Sequence, residues 1–240
     1  MRNLILPLLA VTALSLQAAA QEQASPEAEA FFTKAMSQIN PRHTAWVKKT
    51  AADMQANRFA ADSARVRARN YAQPGNLPDA DIEALVFLVL MQASKSAQED
   101  LKAIMAQVKA INNAKAKQRQ VMETLKQRQA AVASKRTGET GSNWPPKDFE
   151  KEIRRADSLN RLTGLKFAGQ SRYTTPGTKA ELDNMVDTMK RDLDSLNEMG
   201  EMESLRLQMA MDRLSKLMST LSNIMKKISK TQDTIIQNLK

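Results

Sequence analysis

The final quarter of the chain carries the most regular pattern of apolar residues. From Leu182 onward, an apolar residue recurs at alternating steps of four and three. Such a 3.5-residue period is typical of a helix that packs lengthwise against other helices. Met211, Met218 and Met225 lie beside this seam and widen the apolar stripe to three positions in seven, which favours a bundle of three or more helices. The pattern predicts a long C-terminal heptad helix over residues 178–240, which reaches the end of the sequence.

A second long helix is predicted over residues 79–136, where a similar but less regular seam occurs. Its first turns, residues 84–91, are apolar on every face. Eight residues of helix span only about 12 Å, too short to cross a bilayer. This run is either a fully buried part of the bundle or a surface that inserts into a membrane or a partner.

Glycines and prolines divide the rest of the chain into shorter pieces. Ser25-Pro26 and Asn40-Pro41 are helix start signals, and the second is expected to open a helix that continues to about Asn70. Thr178 and Glu181 match a capping box. The resulting plan has N-terminal helices and a linker over residues 21–78 and a loop-rich insert with one short helix over residues 137–177.

No segment of the chain alternates β-branched or aromatic residues with polar ones, so strands are not expected. Two long helices joined by an insert most simply fold back on each other. The sequence therefore predicts an all-α fold, an elongated helical bundle built on a long antiparallel helical hairpin with coiled-coil-like packing.

Residues 1–20 have the three parts of a secretory signal peptide. A basic start at Arg2 precedes the apolar run 4–16, and small residues lead to an expected cleavage after Ala20. The chain has no cysteine that could carry a lipid. We expect export by a Sec-type signal to the periplasm or the medium.

The net charge of +10 is unevenly distributed. Residues 101–136 hold nine basic residues and one acidic residue, whereas residues 181–203 hold eight acidic and two basic residues. An antiparallel hairpin places these two runs side by side, so they are expected to neutralise each other in part and to set the register. Two further basic groups have no obvious internal partner: Arg58, Arg65, Arg67 and Arg69, and Lys216, Lys226, Lys227 and Lys230.

The composition excludes several kinds of chemistry. With no cysteine and one histidine, His43, the chain offers neither a thiol nucleophile nor a multi-histidine metal site, and no Gly-rich phosphate motif occurs. Asp79, Asp81 and Glu83 are explained by the dipole of a helix N-terminus rather than by a metal. We expect a protein that is not an enzyme and that has no cofactor and no metal. Nucleic-acid binding is disfavoured, because no aromatic stacking platform accompanies the charge.

The remaining hypotheses concern binding. The first is an exported scaffold or interaction protein that self-associates or binds another envelope protein through its heptad face. The second is a basic periplasmic binding module or holdase for unfolded clients or for anionic envelope components such as a membrane surface or lipopolysaccharide. The candidate interaction residues are Leu207, Met211, Leu214, Met218, Leu221, Met225, Arg58, Arg65, Arg67, Arg69 and Trp144.

The plan is similar in architecture to the helical-hairpin filament or tip subunits of secretion machines, and its basic, exported, helical character is similar to that of periplasmic holdase chaperones. A secretion-filament or tip-like subunit is therefore a further alternative. The signal peptide counts against it, because such subunits usually travel through their own apparatus. Architecture alone transfers no functional residue to this chain.

Overall fold

The structure is a computed structural model that describes residues 24–56, 60–75, 77–132, 149–163 and 176–240. Across these residues the elements are helical and no strand occurs, which confirms the predicted all-α class. The expected signal peptide, Arg58 and Trp144 lie outside the described residues. The α-helices are α1 (Pro26–Gln38), α2 (Pro41–Gln55), α3 (Ala64–Ala72), α4 (Asp79–Val132), α5 (Phe149–Leu162), α6 (Lys179–Ile228) and α7 (Gln232–Asn238).

The helix start signals work as the sequence predicts. The Ser25 hydroxyl accepts a hydrogen bond from the backbone N–H of Ala28 at 3.2 Å, which caps α1. At the start of α6, the Glu181 N–H donates to the Thr178 hydroxyl at 3.2 Å, and the Thr178 N–H donates to the Glu181 carboxylate at 3.1 Å. This reciprocal pair is a complete capping box, and the backbone hydrogen bonds lower the pKa of Glu181.

Two predicted helix ends are wrong. The helix that begins at Pro41 ends at Gln55 rather than near Asn70, because Ala60 is extended and the chain then starts α3, which buries its own alanine face. The last helix ends at Ile228 rather than at the C-terminus. The shorter α7 follows and buries Ile235 and Ile236.

The chain divides into two compact units, to which α4 and α6 both contribute. The first unit comprises residues 1–101 and 208–240, and the second comprises residues 102–207. No helix within the described ranges is long and apolar enough to cross a membrane.

The first unit has a core of large apolar side chains around the start of α4. Every residue of the run 84–91 is at most 3% exposed, so this run is core rather than an interaction surface. The Phe31 and Phe87 rings lie 5.4 Å apart. The Arg213 guanidinium donates to the backbone carbonyl oxygens of Met54 and Gln55 and so joins α6 to the end of α2.

The second unit contains the predicted antiparallel helix pair. Ile111 and Ala114 of α4 pack with Leu196 of α6, whereas the later residues of α4 pack with the earlier residues of α6. Helix α5 adds a third partner through its apolar face, which includes Ile153.

Two positions interrupt the regular seams of α4 and α6 in the sequence. Gln118 interrupts the α4 seam in the sequence, yet it is fully buried within it. Gly200 stands where a β-carbon would lie 3.5 Å from Lys115 Nζ and 3.6 Å from Ile111 Cγ2. Both distances are ordinary van der Waals contacts, so an alanine would fit at this position.

The basic and acidic runs lie on this antiparallel pair, as expected from their charges. The Gln129 amide donates to Asp183 at 2.7 Å, and the negative charge of Glu201 acts on Lys115. Burial and the charge of Arg119 nevertheless lower the pKa of Lys115 below its usual value. Lys117 pairs with Glu152 of α5 rather than with the acidic run, so the insert also takes part in neutralisation.

Candidate functional site

The predicted interaction residues of the heptad face divide into two groups. Leu214, Leu221 and Met225 are at most 6% exposed and pack within the chain. Leu207, Met211 and Met218 are half-buried. Most of the predicted face is therefore core of the chain itself, and part of each remaining side chain is exposed.

The predicted basic residues are also divided. Arg65 forms an ion pair with Glu83, so the expectation that it lacks an internal partner is wrong. Arg67 and Arg69 are both exposed, and Arg67 also interacts within the chain. Lys226 is exposed and, unlike the arginines, lies beside the heptad residues.

The heptad and lysine predictions meet in one groove of the first unit, here called the α1–α6 groove. It has a volume of about 420 Å³ and lies between the start of α1 and the last turns of α6. Three of the predicted interaction residues line it. The complete lining is Ala24, Ser25, Glu27, Ala28, Met218, Leu221, Ser222, Met225, Lys226 and Ser229.

The lining of the α1–α6 groove is amphipathic. Methionine, leucine and alanine side chains supply apolar contact, and three serines and the charged pair Glu27 and Lys226 supply polar groups. The Gln232 amide donates a hydrogen bond of 3.0 Å to Oε1 of Glu27, so one oxygen of that carboxylate already has a partner. Lys226 has no ion-pair partner among the described residues and is exposed. The groove can therefore take apolar side chains that are accompanied by negative charge.

The first unit also contains a group of aromatic and basic residues, here called the Tyr71 cluster and formed by Arg42, His43, Trp46 and Tyr71. The Trp46 and Tyr71 rings are stacked, with centroids 4.4 Å apart and planes at 16°. His43 Nδ1 lies 2.8 Å from the Tyr71 hydroxyl oxygen. The Arg42 guanidinium lies over the Tyr71 ring, 5.8 Å from its centroid. Helices α2 and α3 are thus joined by rings and charge.

The electrostatics of the Tyr71 cluster keep both partners of its hydrogen bond uncharged. Burial, aided by the positive charge of Arg42, lowers the pKa of His43, so the imidazole is neutral at pH 7. Burial raises the pKa of the Tyr71 hydroxyl above its usual value, although Arg42 acts in the opposite direction. Both groups are therefore uncharged, and the direction of the hydrogen bond between them follows the tautomer of the imidazole.

Sequence reasoning missed this cluster. The sequence alone indicates a surface position for His43, in the first turn of the helix that begins at Pro41, and shows no partner for it. Its spacing of three from Trp46 indicates a shared face of α2, but the partner Tyr71 lies 28 residues later on another helix. Nothing in the sequence pairs the two helices.

The acidic residues at the start of α4 are held by the protein itself. Asp81 is fully buried and accepts hydrogen bonds from the Asn238 amide at 3.1 and 3.3 Å. Burial raises the pKa of Asp81. Within the part of the chain that the structure describes, no group of three or more histidine, aspartate or glutamate side chains could hold a metal ion.

Comparison with known proteins gives no relative from which a role could be carried over. No protein-family model, no curated protein and no solved structure matches this chain.

Proposed function

We propose that this chain is an exported, non-enzymatic helical interaction protein that binds a helical segment of a partner protein in the α1–α6 groove. The observation that carries the proposal is the groove's lining, in which Met218 and Met225 lie beside an unpaired lysine. Methionine side chains repack easily around different apolar shapes, which suits them to surfaces that receive a partner's side chains.

The charge around the groove defines the partner further. From Arg213 to Gln232, α6 and the turn after it contain five basic residues and no acidic residue. A partner helix with apolar residues on one face and acidic residues on its flank would match both the lining and this charge. The groove volume corresponds to a few side chains of such a helix rather than to the whole helix.

Contacts that hold α1 in place support a preformed groove. Besides the Glu27–Gln232 hydrogen bond, Lys34 pairs with Asp233 of α7 at 2.7 Å, and Lys95 of α4 pairs with Glu29 at 2.7 Å. Each pair is exposed and weak alone. Together they anchor α1 from two neighbouring helices, and a preorganised site loses less entropy when it binds.

The test is a binding titration with a synthetic amphipathic peptide that carries leucines on one helical face and glutamates on its flank. Because the chain has no cysteine, Ser222→Cys can carry an environment-sensitive fluorophore inside the groove, with the exposed neighbour Asn223→Cys as the control position. We expect a spectral change at position 222 alone. A scrambled peptide of the same composition should bind at least about tenfold more weakly.

A matched pair of substitutions tests the groove itself. Met218→Gln should weaken peptide binding by about tenfold, because it places a polar amide in the apolar lining. Met211→Gln changes the same heptad position seven residues earlier, outside the groove, and should leave the affinity within about twofold. Equal effects of the two substitutions would contradict the assignment of the groove.

An aggregation assay addresses the holdase alternative. A holdase would suppress the aggregation of several unrelated unfolded proteins, whereas the proposed interaction protein should not. Export is tested separately by mass spectrometry of the protein recovered from the periplasmic fraction. Its mass should correspond to a chain that begins at Gln21.

A further inference from the structure

The exposed side of α2 carries an aromatic ring between two cations. Arg42, Trp46 and Lys49 follow one another at steps of four and three and therefore lie on one face of the helix, here called the α2 row. Arg42 and Lys49 are exposed and Trp46 is partly exposed. Neither cation forms an ion pair with another described residue, whereas Asp53, the next residue on this face, already interacts within the chain.

The ring at the centre of the α2 row is held rigidly. The Tyr71 ring stacks on one face of Trp46, and the Tyr71 hydroxyl forms a hydrogen bond with His43. A ring fixed in this way loses little freedom when a ligand packs against it. The two cations stand seven residues apart on the helix, about 10.5 Å along its axis.

We propose that the α2 row binds an acidic oligosaccharide, with one sugar ring packed against Trp46 and anionic groups on the neighbouring sugars paired with Arg42 and Lys49. The spacing of the cations is comparable to the length of a disaccharide. A guanidinium can hold a carboxylate or sulfate through two hydrogen bonds, and an ammonium can hold it as a point charge. A single aromatic platform suits one pyranose, whose C–H groups face the ring.

Two other anionic partners fit this surface less well. Docking on an anionic membrane requires exposed apolar side chains that enter the lipid, and none of the large exposed apolar residues among the described residues lies on α2. Single-stranded nucleic acid is bound by several successive stacking rings. The α2 row presents one ring, since Tyr71 is occupied by its contacts with Trp46, His43 and Arg42.

Trp46 itself can report the binding. The chain has two tryptophans, so Trp144→Phe leaves Trp46 as the single fluorophore. The probe is a sulfated heparin hexasaccharide, compared with uncharged cellohexaose and with inorganic sulfate. We expect the hexasaccharide to change the Trp46 emission and to bind at least about tenfold more tightly than either control.

A matched pair of double variants separates the site from general charge. R42Q/K49Q removes both cations of the α2 row and should weaken binding of the hexasaccharide by at least about tenfold. K102Q/K109Q removes two exposed cations at the same seven-residue spacing on α4, where Ala106 replaces the central ring, and should change the affinity by no more than about twofold. All four positions are on the surface, so folding is preserved.

Replacement of the ring completes the test. Trp46→Ala should weaken binding of the hexasaccharide, measured by calorimetry, while Trp46→Phe should retain most of the affinity and the helical circular dichroism. The proposal is overturned if the two double variants lose affinity equally, if the Trp46 emission does not respond, or if phosphatidylglycerol vesicles or oligothymidylate bind more tightly than the hexasaccharide with the same dependence on Arg42 and Lys49.

Discussion

In the first unit the run 84–91 of α4 is buried on every side, whereas in the second unit the same helix is buried along one face. Residues 84–91 are enclosed without a break, but farther along α4 the buried residues return to the heptad spacing from Ile111 through Gln118 to Leu125. Buried polar side chains flank this run in the first unit, at Asp81 and Ser94, whereas in the second unit the buried Gln118 lies within the seam itself. One continuous helix can thus belong to two kinds of core, according to how many neighbours surround it.

The difference between the units is chemical as well as geometric. An apolar core packs well in many arrangements, whereas a buried polar group must find its partner and therefore selects one alignment of the helices. We infer that the unbroken apolar run stabilises the first unit beside its Asp81–Asn238 contact, and that packing together with polar matching along the seam sets the register of the second. Substitutions in each unit can test this contrast.

The largest effect is expected in the first unit. Phe87→Ala should lower the free energy of unfolding by about 3–5 kcal/mol, because it leaves a cavity beside Phe31. Urea unfolding followed by the emission of Trp46, in the Trp144→Phe background, measures this unit. Val66→Ala, at a side chain that is 59% exposed, is the control and should cost less than about 0.5 kcal/mol. A small loss for Phe87→Ala would contradict the interpretation of this core.

An intermediate effect is expected from the polar contacts of the second unit. Lys117→Met should cost about 1–3 kcal/mol, because it leaves the buried Glu152 Oε2 without its ion pair. The double variant K117M/E152M should recover most of that loss. Hydrogen exchange of the α5 amides measures the change, and Lys102→Met serves as the exposed control. No recovery in the double variant would argue against polar matching.

The smallest effect has the opposite sign. Gly200→Ala should stabilise the second unit by about 0.5–1 kcal/mol, because alanine is a better helix former and finds its neighbours at ordinary contact distance. Gly177→Ala, outside the helix, should bring no comparable gain. Thermal unfolding compares the two variants, and a destabilised Gly200→Ala protein would show that α4 and α6 cannot accept one more methyl group.

Much of this fold can be predicted from local patterns. Helix starts at Pro26, Pro41 and Lys179 are specified by neighbouring residues whose side chains satisfy free N–H groups, and the seam of α6 is specified by its period. These signals lie within a few residues of the structure that they determine. For this reason the helical class and the antiparallel pair followed from the sequence.

The parts that could not be predicted depend on partners that are distant in sequence. A period shows which face of a helix is buried, but it does not show which helix covers that face. The contact of His43 with Tyr71, the ion pair of Arg65 with Glu83 and the α1 wall of the groove all belong to this kind. The turn after Ile228 likewise depends on the core that receives α7.

The division of the first unit between the two ends of the chain has a consequence for the order of folding. Its contacts join distant residues, such as Asp81 with Asn238 and Met54 with Arg213, whereas the second unit is continuous over residues 102–207. During synthesis the second unit can assemble as soon as its own residues have emerged. The first unit is complete only after residues 208–240 have emerged, and closing so long a loop slows folding and prolongs exposure to aggregation.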